Sequence, residues 1–398
     1  MIRRLFLDSE TEWRRELDLV GADPAGWERF ASRAELVVMK TGPLTPPAAN
    51  ILKQCMLSSG GDAMVARGVV CCSCERTDAI MVGMPRHFRL AAKSLEGQPF
   101  GLAGLAADME AALAPPELPV EMPLRHGALM FGGAPLLMGI LNVTPDSFSD
   151  GGLFTEPGRA VERALEMRDE GAAIIDIGAE STRPGSLPVA ASVQIERILP
   201  VIRGIRSADQ GLPLSVDTSS AEVARAALIE GADVINDVTA LCDPAMAGLA
   251  AAEGVPIVLM HMKGVPATMQ DAPWYADTVG EVYSFLEERV SAAMAAGVPR
   301  NRMLVDPGLG FGKRLEDNLV LVRRAAEFRG TGCRTVLGYS RKRFLGELTG
   351  IVEPAGRDEA GTAVAALACG KVDVLRVHDV ARTAAAVHVA HAVIGGGV

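Results

Sequence analysis

Aromatic side chains are scarce in this chain, with Trp, Tyr and Phe making only 4% of its 398 residues. That scarcity, beside 42 glycines, disfavours a β-sandwich and suits helices packed on a tight parallel sheet. No uninterrupted apolar stretch reaches the roughly 20 residues needed to span a bilayer. The opening Met-Ile-Arg-Arg-Leu-Phe-Leu-Asp turns acidic before a signal core develops, so a cytoplasmic enzyme is the expectation. Positive charge is also in deficit, with 39 Lys and Arg against 49 Asp and Glu and a net charge of −10. This argues against a nucleic-acid or membrane-surface binder, which would show a basic face. An anionic small substrate stays open, because its site needs only a few local cations.

A disulfide framework is missing as well, since the seven cysteines are odd in number and irregular in spacing. The cluster Cys71-Cys72-Ser73-Cys74 invites a zinc or redox reading, yet no second well-spaced Cys/His pair accompanies it. It falls in an apolar run from Gly68 that reads as a strand. Buried cysteines acting as small hydrophobes are therefore the expectation there.

Prolines at 115, 116, 119 and 123 break the chain, because such a cluster cannot continue a helix. Residues 1–115 read as a small α/β domain and 116–130 as a proline-rich linker. In the first domain, strands are expected at 35–39, 68–74 and 78–82, with helices at 46–57, 86–95 and 102–113.

What is abundant lies downstream. From residue 136, eight short Val/Ile/Leu runs alternate with amphipathic segments. The spacing predicts strands at 137–142, 173–178, 213–217, 233–236, 256–260, 302–306, 335–338 and 372–377. Helices are expected at 156–170, 219–230, 275–296 and 379–393. Continuous apolar strands are buried on both faces, and helices must return the chain between them. Eight such units close into an α/β fold, the (β/α)8 TIM barrel, here preceded by the small N-terminal domain. The runs end at Asn142, Thr182, Asp217, Asn236, His261, Asp306, Ser340 and Arg376 with His378. Barrel active sites lie at the carboxyl ends of the strands, so these polar residues gather on one rim.

Each has a plainer reading when taken singly. Asp217 precedes Thr-Ser-Ser and could equally cap the next helix. Asp306 precedes Pro-Gly-Leu-Gly, where no helix starts, so a functional role leads. Lys342 alone could be a solvated helix lysine, and His378 a core histidine. Arg376 and His378 alternate along the last strand and can face the same side, while Asp379 can cap the last helix.

The segments Gly139-Ile-Leu-Asn-Val-Thr-Pro-Asp-Ser-Phe-Ser-Asp-Gly-Gly152 and Ile174-Ile-Asp-Ile-Gly-Ala-Glu-Ser-Thr-Arg-Pro-Gly185 closely resemble signatures of the dihydropteroate synthase family. The resemblance continues through Ser215-Val-Asp-Thr218, Ile235-Asn-Asp-Val238, Leu259-Met-His-Met262 and Asp306-Pro-Gly-Leu-Gly-Phe-Gly-Lys313. It closes with Gly338-Tyr-Ser-Arg-Lys342 and Arg376-Val-His-Asp379, and so covers residues 131–398.

The resemblance implies a transferase of folate biosynthesis and a sulfonamide target. It would join p-aminobenzoate to a 7,8-dihydropterin-6-ylmethyl diphosphate, releasing diphosphate. Asp217, Asn236, Met260, Asp306, Phe311, Gly338 and Lys342 would hold the pterin. Asn142, Arg376 and His378 would hold the diphosphate with Mg2+, for which Asn142 is the one side-chain ligand. On this placement Arg376 stands apart from the ring. Thr182, Arg183, Pro184 and Ser340 would line the aminobenzoate pocket, and Asp146 and Phe148 would close over it. Asp217, Asp306, Lys342, Arg376 and His378 would carry the chemistry. The implied partners are these small molecules and a second copy in a homodimer, with no nucleic acid and no membrane. The nearest rival is a methyltransferase moving a methyl group from a methylated folate to a corrinoid, which has no diphosphate to hold. A degenerate pterin-binding homologue is the non-enzymatic rival.

Overall fold

The computed structural model describes residues 2–3, 5, 10–27, 30, 35–114, 117–143, 156–180, 189–265 and 268–395. The chain divides into two compact units, Met1–Glu117 and Leu118–Val398.

In the first unit, strands β1 (Val37–Leu44), β2 (Asp62–Val65) and β3 (Thr77–Gly83) form an antiparallel sheet of order β1-β3-β2. Thr77, Ala79 and Met81 of β3 are buried while Asp78 and Ile80 are exposed, the alternation of a sheet with one covered face. The covered face meets Leu52 and Met56 from helix Pro46–Ser58, Phe88 and Leu95 from Pro85–Leu95, and Met109 from Leu102–Leu113. The strand expected at 68–74 is absent, and β2 takes its place. Arg67–Val69 forms a 3-10 turn instead, and Cys72 has φ of +52°, which an extended ladder cannot include. Cys71 and Cys72 are exposed, so the expectation of buried strand cysteines is wrong for them. The apolar run misled because only Val69 turns inward, while Val70 is 80% exposed.

The second unit opens with an antiparallel hairpin, β4 (Glu121–Pro123) and β5 (Ala128–Met130), inside the stretch read as a linker. Eight parallel strands follow and close into a barrel. They are β6 (Leu136–Asn142), β7 (Ile174–Gly178), β8 (Leu214–Asp217), β9 (Val234–Asp237), β10 (Ile257–Met260), β11 (Met303–Asp306), β12 (Arg334–Gly338) and β13 (Val374–Val377). Each lies within two residues of its expected position. Strands β7 to β11 are buried along their whole length, which is why they read as unbroken apolar runs.

The hairpin plugs the amino-terminal end of the barrel. Met122, Leu129 and Phe131 pack on Met138, Ile174, Val234, Val258, Leu304, Val336 and Val374, a residue from near the start of seven strands. The Arg334 guanidinium stacks 4.3 Å over the Phe131 ring and donates to the Pro119 carbonyl at 2.8 Å. Phe131→Ala should therefore cost about 3–5 kcal/mol of stability in a denaturant titration. Substrate KM values should not change, because the plug lies opposite the catalytic rim. A folded variant of normal stability but weakened substrate binding would contradict this placement.

Candidate active site

Strand ends deliver the charged residues to one rim. Helix Ala221–Ile229 is capped by Ser220, whose hydroxyl accepts the Val223 amide. Asp217 is thereby released from the capping role that its sequence context allowed. Its carboxylate pairs with Arg376 instead, Nη2 to Oδ2 at 2.5 Å, while Arg376 Nε reaches Asp176 Oδ2 at 2.6 Å. Asn236 Nδ2 donates to the same Asp176 oxygen at 3.0 Å. One guanidinium thus bridges two buried carboxylates, and an amide joins the cluster.

A single cation cannot neutralise both carboxylates in a buried setting. Burial pushes the Asp217 carboxyl up to about 7; Arg376 opposes the shift and Asp176 adds to it. For Arg376 burial disfavours the charge, but Asp176 and Asp217 outweigh it, and the guanidinium stays protonated. Asp306 is buried and raised for the same first reason, against the pull of Lys342 and of the Gly308 amide, which donates to Oδ1 at 2.7 Å. Burial brings Lys342 down to about 8, with Asp306 resisting.

Lys342 donates to the Leu309 carbonyl and stands 4.6 Å over the Phe311 ring. Phe311 packs with Met260, Val238 and Met269, an apolar patch beside the charged cluster. A Cβ on Gly338 would lie 3.6 Å from Asp306 Oδ2 and 3.8 Å from Lys342 Nζ, so the glycine leaves the space between them open. At the other side Ser340 Oγ accepts the His378 amide at 3.2 Å and lies 3.0 Å from His378 Nδ1. Asp379 caps helix Val380–Val393 by accepting the Arg382 amide, as expected.

Asn142, Asp217, Phe311, Gly338, Ser340, Lys342, Arg376 and His378 all line one cavity of about 1230 Å3. Asn236, Met260 and Asp306, buried at 4% exposure each, are not among its lining residues. Thr182, Arg183, Pro184, Asp146 and Phe148 lie outside the described residues.

Three participants escaped the sequence reading. Asp176 is the only charged residue in the run Ile174–Gly178, and a lone carboxylate inside a fully buried strand was the available signal. Glu180 lines the cavity and accepts the Val189 amide at 3.0 Å and the Gln194 amide group at 3.1 Å. Lys313 is 3% exposed and donates to the Phe311 carbonyl; nothing in its local sequence marks it as buried.

Residues 138–378 match the family of pterin binding enzymes. The chain is 41% identical over 387 residues to a probable bifunctional folylpolyglutamate synthase/dihydropteroate synthase of Halobacterium salinarum, covering 97% of this chain and 46% of that protein. It thus spans about half the length of that relative. The dihydropteroate synthase of Escherichia coli K12 is 42% identical over 261 residues, which is 65% of this chain and 92% of that one. Among solved structures, the Xanthomonas albilineans dihydropteroate synthase with 4-aminobenzoic acid superposes with TM-score 0.64 at 46% identity, covering 67% of this chain and 96% of that one. The Yersinia pestis dihydropteroate synthase in a sulfonamide drug complex gives TM-score 0.64 at 37% identity, covering 69% and 98%. A matched relative with nearly its whole length inside this chain, and strand-end residues converging on one cavity, lead to one assignment: the chain belongs to the dihydropteroate synthase family of pterin-binding enzymes.

Proposed function

We propose that the chain is a dihydropteroate synthase, condensing 7,8-dihydropterin-6-ylmethyl diphosphate with p-aminobenzoate to give dihydropteroate and diphosphate. The observation that carries this reading is the joining of two needs in one cavity. Buried acceptors suit the amino-pyrimidinone edge of a pterin, and cationic or neutral donors suit a departing anion. Asp217 and Asp306 would accept the ring N–H groups, Asn236 would exchange both kinds of hydrogen bond, and Lys342 would donate to ring oxygen or nitrogen. Met260 and Phe311 would cover the ring faces. His378 and Arg376 would meet the diphosphate.

In the reaction the methylene C–O bond breaks and diphosphate leaves with the electron pair. The neutral arylamine nitrogen then bonds to the methylene carbon and loses its proton. No strong protein base is needed, since an arylamine is uncharged at neutral pH. The carboxylates support the electron-poor pterin while the donors stabilise the departing charge.

Mg2+ fits this site only in company with substrate. Among the described residues no trio of Asp, Glu, His or Cys is placed to hold a metal. Asn142 would offer one neutral oxygen, the remaining ligands being phosphate oxygens and water. Bound there, the ion would supply neutralisation of the leaving diphosphate. No described helix is long and apolar enough to cross a membrane. The resemblance supports a cytoplasmic homodimer, which sedimentation velocity of the purified chain measures in its oligomeric part.

Incubation of purified protein with dihydropterin diphosphate, Mg2+ and p-aminobenzoate should yield dihydropteroate, with a sulfonamide competing against the arylamine. Transfer of a methyl group from methylated folate to a corrinoid, with no dihydropteroate formed, would move the assignment to the methyltransferase. Pterin binding without either reaction would leave the degenerate homologue.

A further inference from the structure

Residues 307–314 connect β11 to helix Leu315–Arg323 without any sheet ladder, yet most backbone polar groups of 308–312 have partners. Four successive carbonyls are each held by a different side chain. Leu309 O accepts from Lys342 Nζ, Gly310 O from Gln270 Nε2 at 2.5 Å, Phe311 O from Lys313 Nζ at 3.1 Å and Gly312 O from the Tyr275 hydroxyl at 2.8 Å. The amides are tied as well, Gly308 to Asp306 and Gly310 to Asn318 Oδ1 at 2.6 Å. Backbone also presses on backbone. A Cβ on Gly308, at φ +66°, would come 2.0 Å from the His261 carbonyl; one on Gly312, at φ +64°, would come 2.2 Å from that of Lys263.

Resting on the proposed function, we infer that Lys313 and Tyr275 are positioning residues for pterin binding: they hold the Phe311 carbonyl and its neighbour so that the aromatic ring forms a preset wall of the ring slot. Lys342 is assigned to the substrate, and Gln270 and Lys313 both line the cavity. Lys313 and Tyr275 are only 3% and 5% exposed, and their polar atoms are spent on this loop. Lys313 Nζ has a second partner, His261 Nδ1 at 2.9 Å. Burial, with Lys313 adding to it, pushes His261 down to about 2, so the ring is neutral and can accept. The His261 ring is itself wedged edge-on against Phe285 with centroids 4.9 Å apart. The chain of contacts runs from packed aromatics through His261 and Lys313 to Phe311, whose face lies under Lys342. Preset walls cut the ordering cost of binding, which is why their loss appears in affinity.

The test uses the full chain with Tyr275→Phe, Lys313→Met and Lys313→Gln. Affinity for a dihydropterin lacking diphosphate is read by calorimetry, and KM for each substrate, kcat and Tm are read alongside. Tyr275→Phe and Lys313→Met should raise KM for the dihydropterin diphosphate and weaken the bare ring by about tenfold, the loss expected when a buried acceptor loses its donor. KM for the arylamine and kcat should stay within about threefold. Lys313→Gln, which keeps an N–H for the Phe311 carbonyl, should recover part of the loss. Folded variants with wild-type ring affinity would overturn the inference, as would equal weakening of both substrates in step with Tm. Should Lys313→Met fail to fold, Tyr275→Phe decides, since it removes one hydroxyl and keeps the ring. Wild-type protein that binds no dihydropterin would instead defeat the reading of the function, and this inference with it. Wild-type binding matched by the variants defeats the inference alone.

Discussion

Arg376→Ala is expected to lower turnover by about two to three powers of ten and to weaken even a dihydropterin that carries no diphosphate. Two losses combine. The first would be the charge-assisted contact proposed with the leaving group, which strengthens as negative charge develops there and so would appear in kcat. The second follows from the bridge to Asp176 and Asp217. Removing the guanidinium that bridges both carboxylates should leave uncompensated charge in a buried site, a change worth about 3–5 kcal/mol. Either the carboxyls take up protons or the cluster rearranges, and both spoil the acceptor edge offered to the ring. Placing Arg376 apart from the ring, as the resemblance implies, would leave bare-ring affinity intact; the bridge to Asp176 and Asp217 is the ground for expecting a loss instead. Arg376→Lys should recover little, because one ammonium cannot span Nε and Nη2 contacts to separate carboxylates. Calorimetry with the bare ring and steady-state kinetics with the full substrate separate the two losses. Unchanged bare-ring affinity in a folded Arg376→Ala protein would show that the bridge does not organise the ring site.

Asp217→Asn should weaken the pterin by roughly 5- to 150-fold, the cost of about 1–3 kcal/mol for a mismatched buried donor. It should also flatten the dependence of stability on pH. The Asp217 carboxyl rises on folding from an ordinary 3.8 to about 7, so between those values the folded protein keeps a proton that the unfolded chain has lost. The Asp217 contribution to stability therefore falls as pH rises through that window and is lowest above it, the opposite of an ordinary salt-bridged aspartate. The buried neutral His261 contributes in the other direction below pH 6.5. Asp306, also raised, acts in the same direction as Asp217. On the proposed placement, pterin affinity should run the other way, rising as the Asp217 carboxylate ionises near pH 7 and becomes a full acceptor. Asparagine cannot titrate, so the variant loses the Asp217 share of both trends. Denaturant titrations and ring affinity measured from pH 5 to 8 check the two slopes. Parallel slopes in wild type and variant would place the titrating group elsewhere.

The barrel was legible because its strands are buried on both faces and cannot avoid reading as apolar runs of four to seven residues. The polar residue closing each run was legible for the same reason, standing out against Val and Ile. Local chemistry also located the last helix cap at Asp379. The Cys71 to Cys74 stretch fails in the opposite way. Its residues are apolar enough for a strand, but Cys72 turns left-handed and the run becomes an exposed turn. Composition carries no record of that one dihedral angle. The hairpin at 121–130 was hidden because three-residue strands are too short for alternation to show.

Sequence by itself determined the order of units, the rim on which chemistry gathers and the residue types available there, because these follow from period and hydrophobicity along the chain. Tertiary structure alone decided which charge meets which. Arg376 finds Asp176 and Asp217 across separations of 200 and 159 residues, and Asp217 is spared capping only because Ser220 supplies it. It also decided that Lys313 and Tyr275 hold neighbouring carbonyls of one loop, although 38 positions separate them in the chain. Closing the barrel brings such groups within 3 Å, where hydrogen bonding and desolvation set their charge states. No pattern along the chain records those distances.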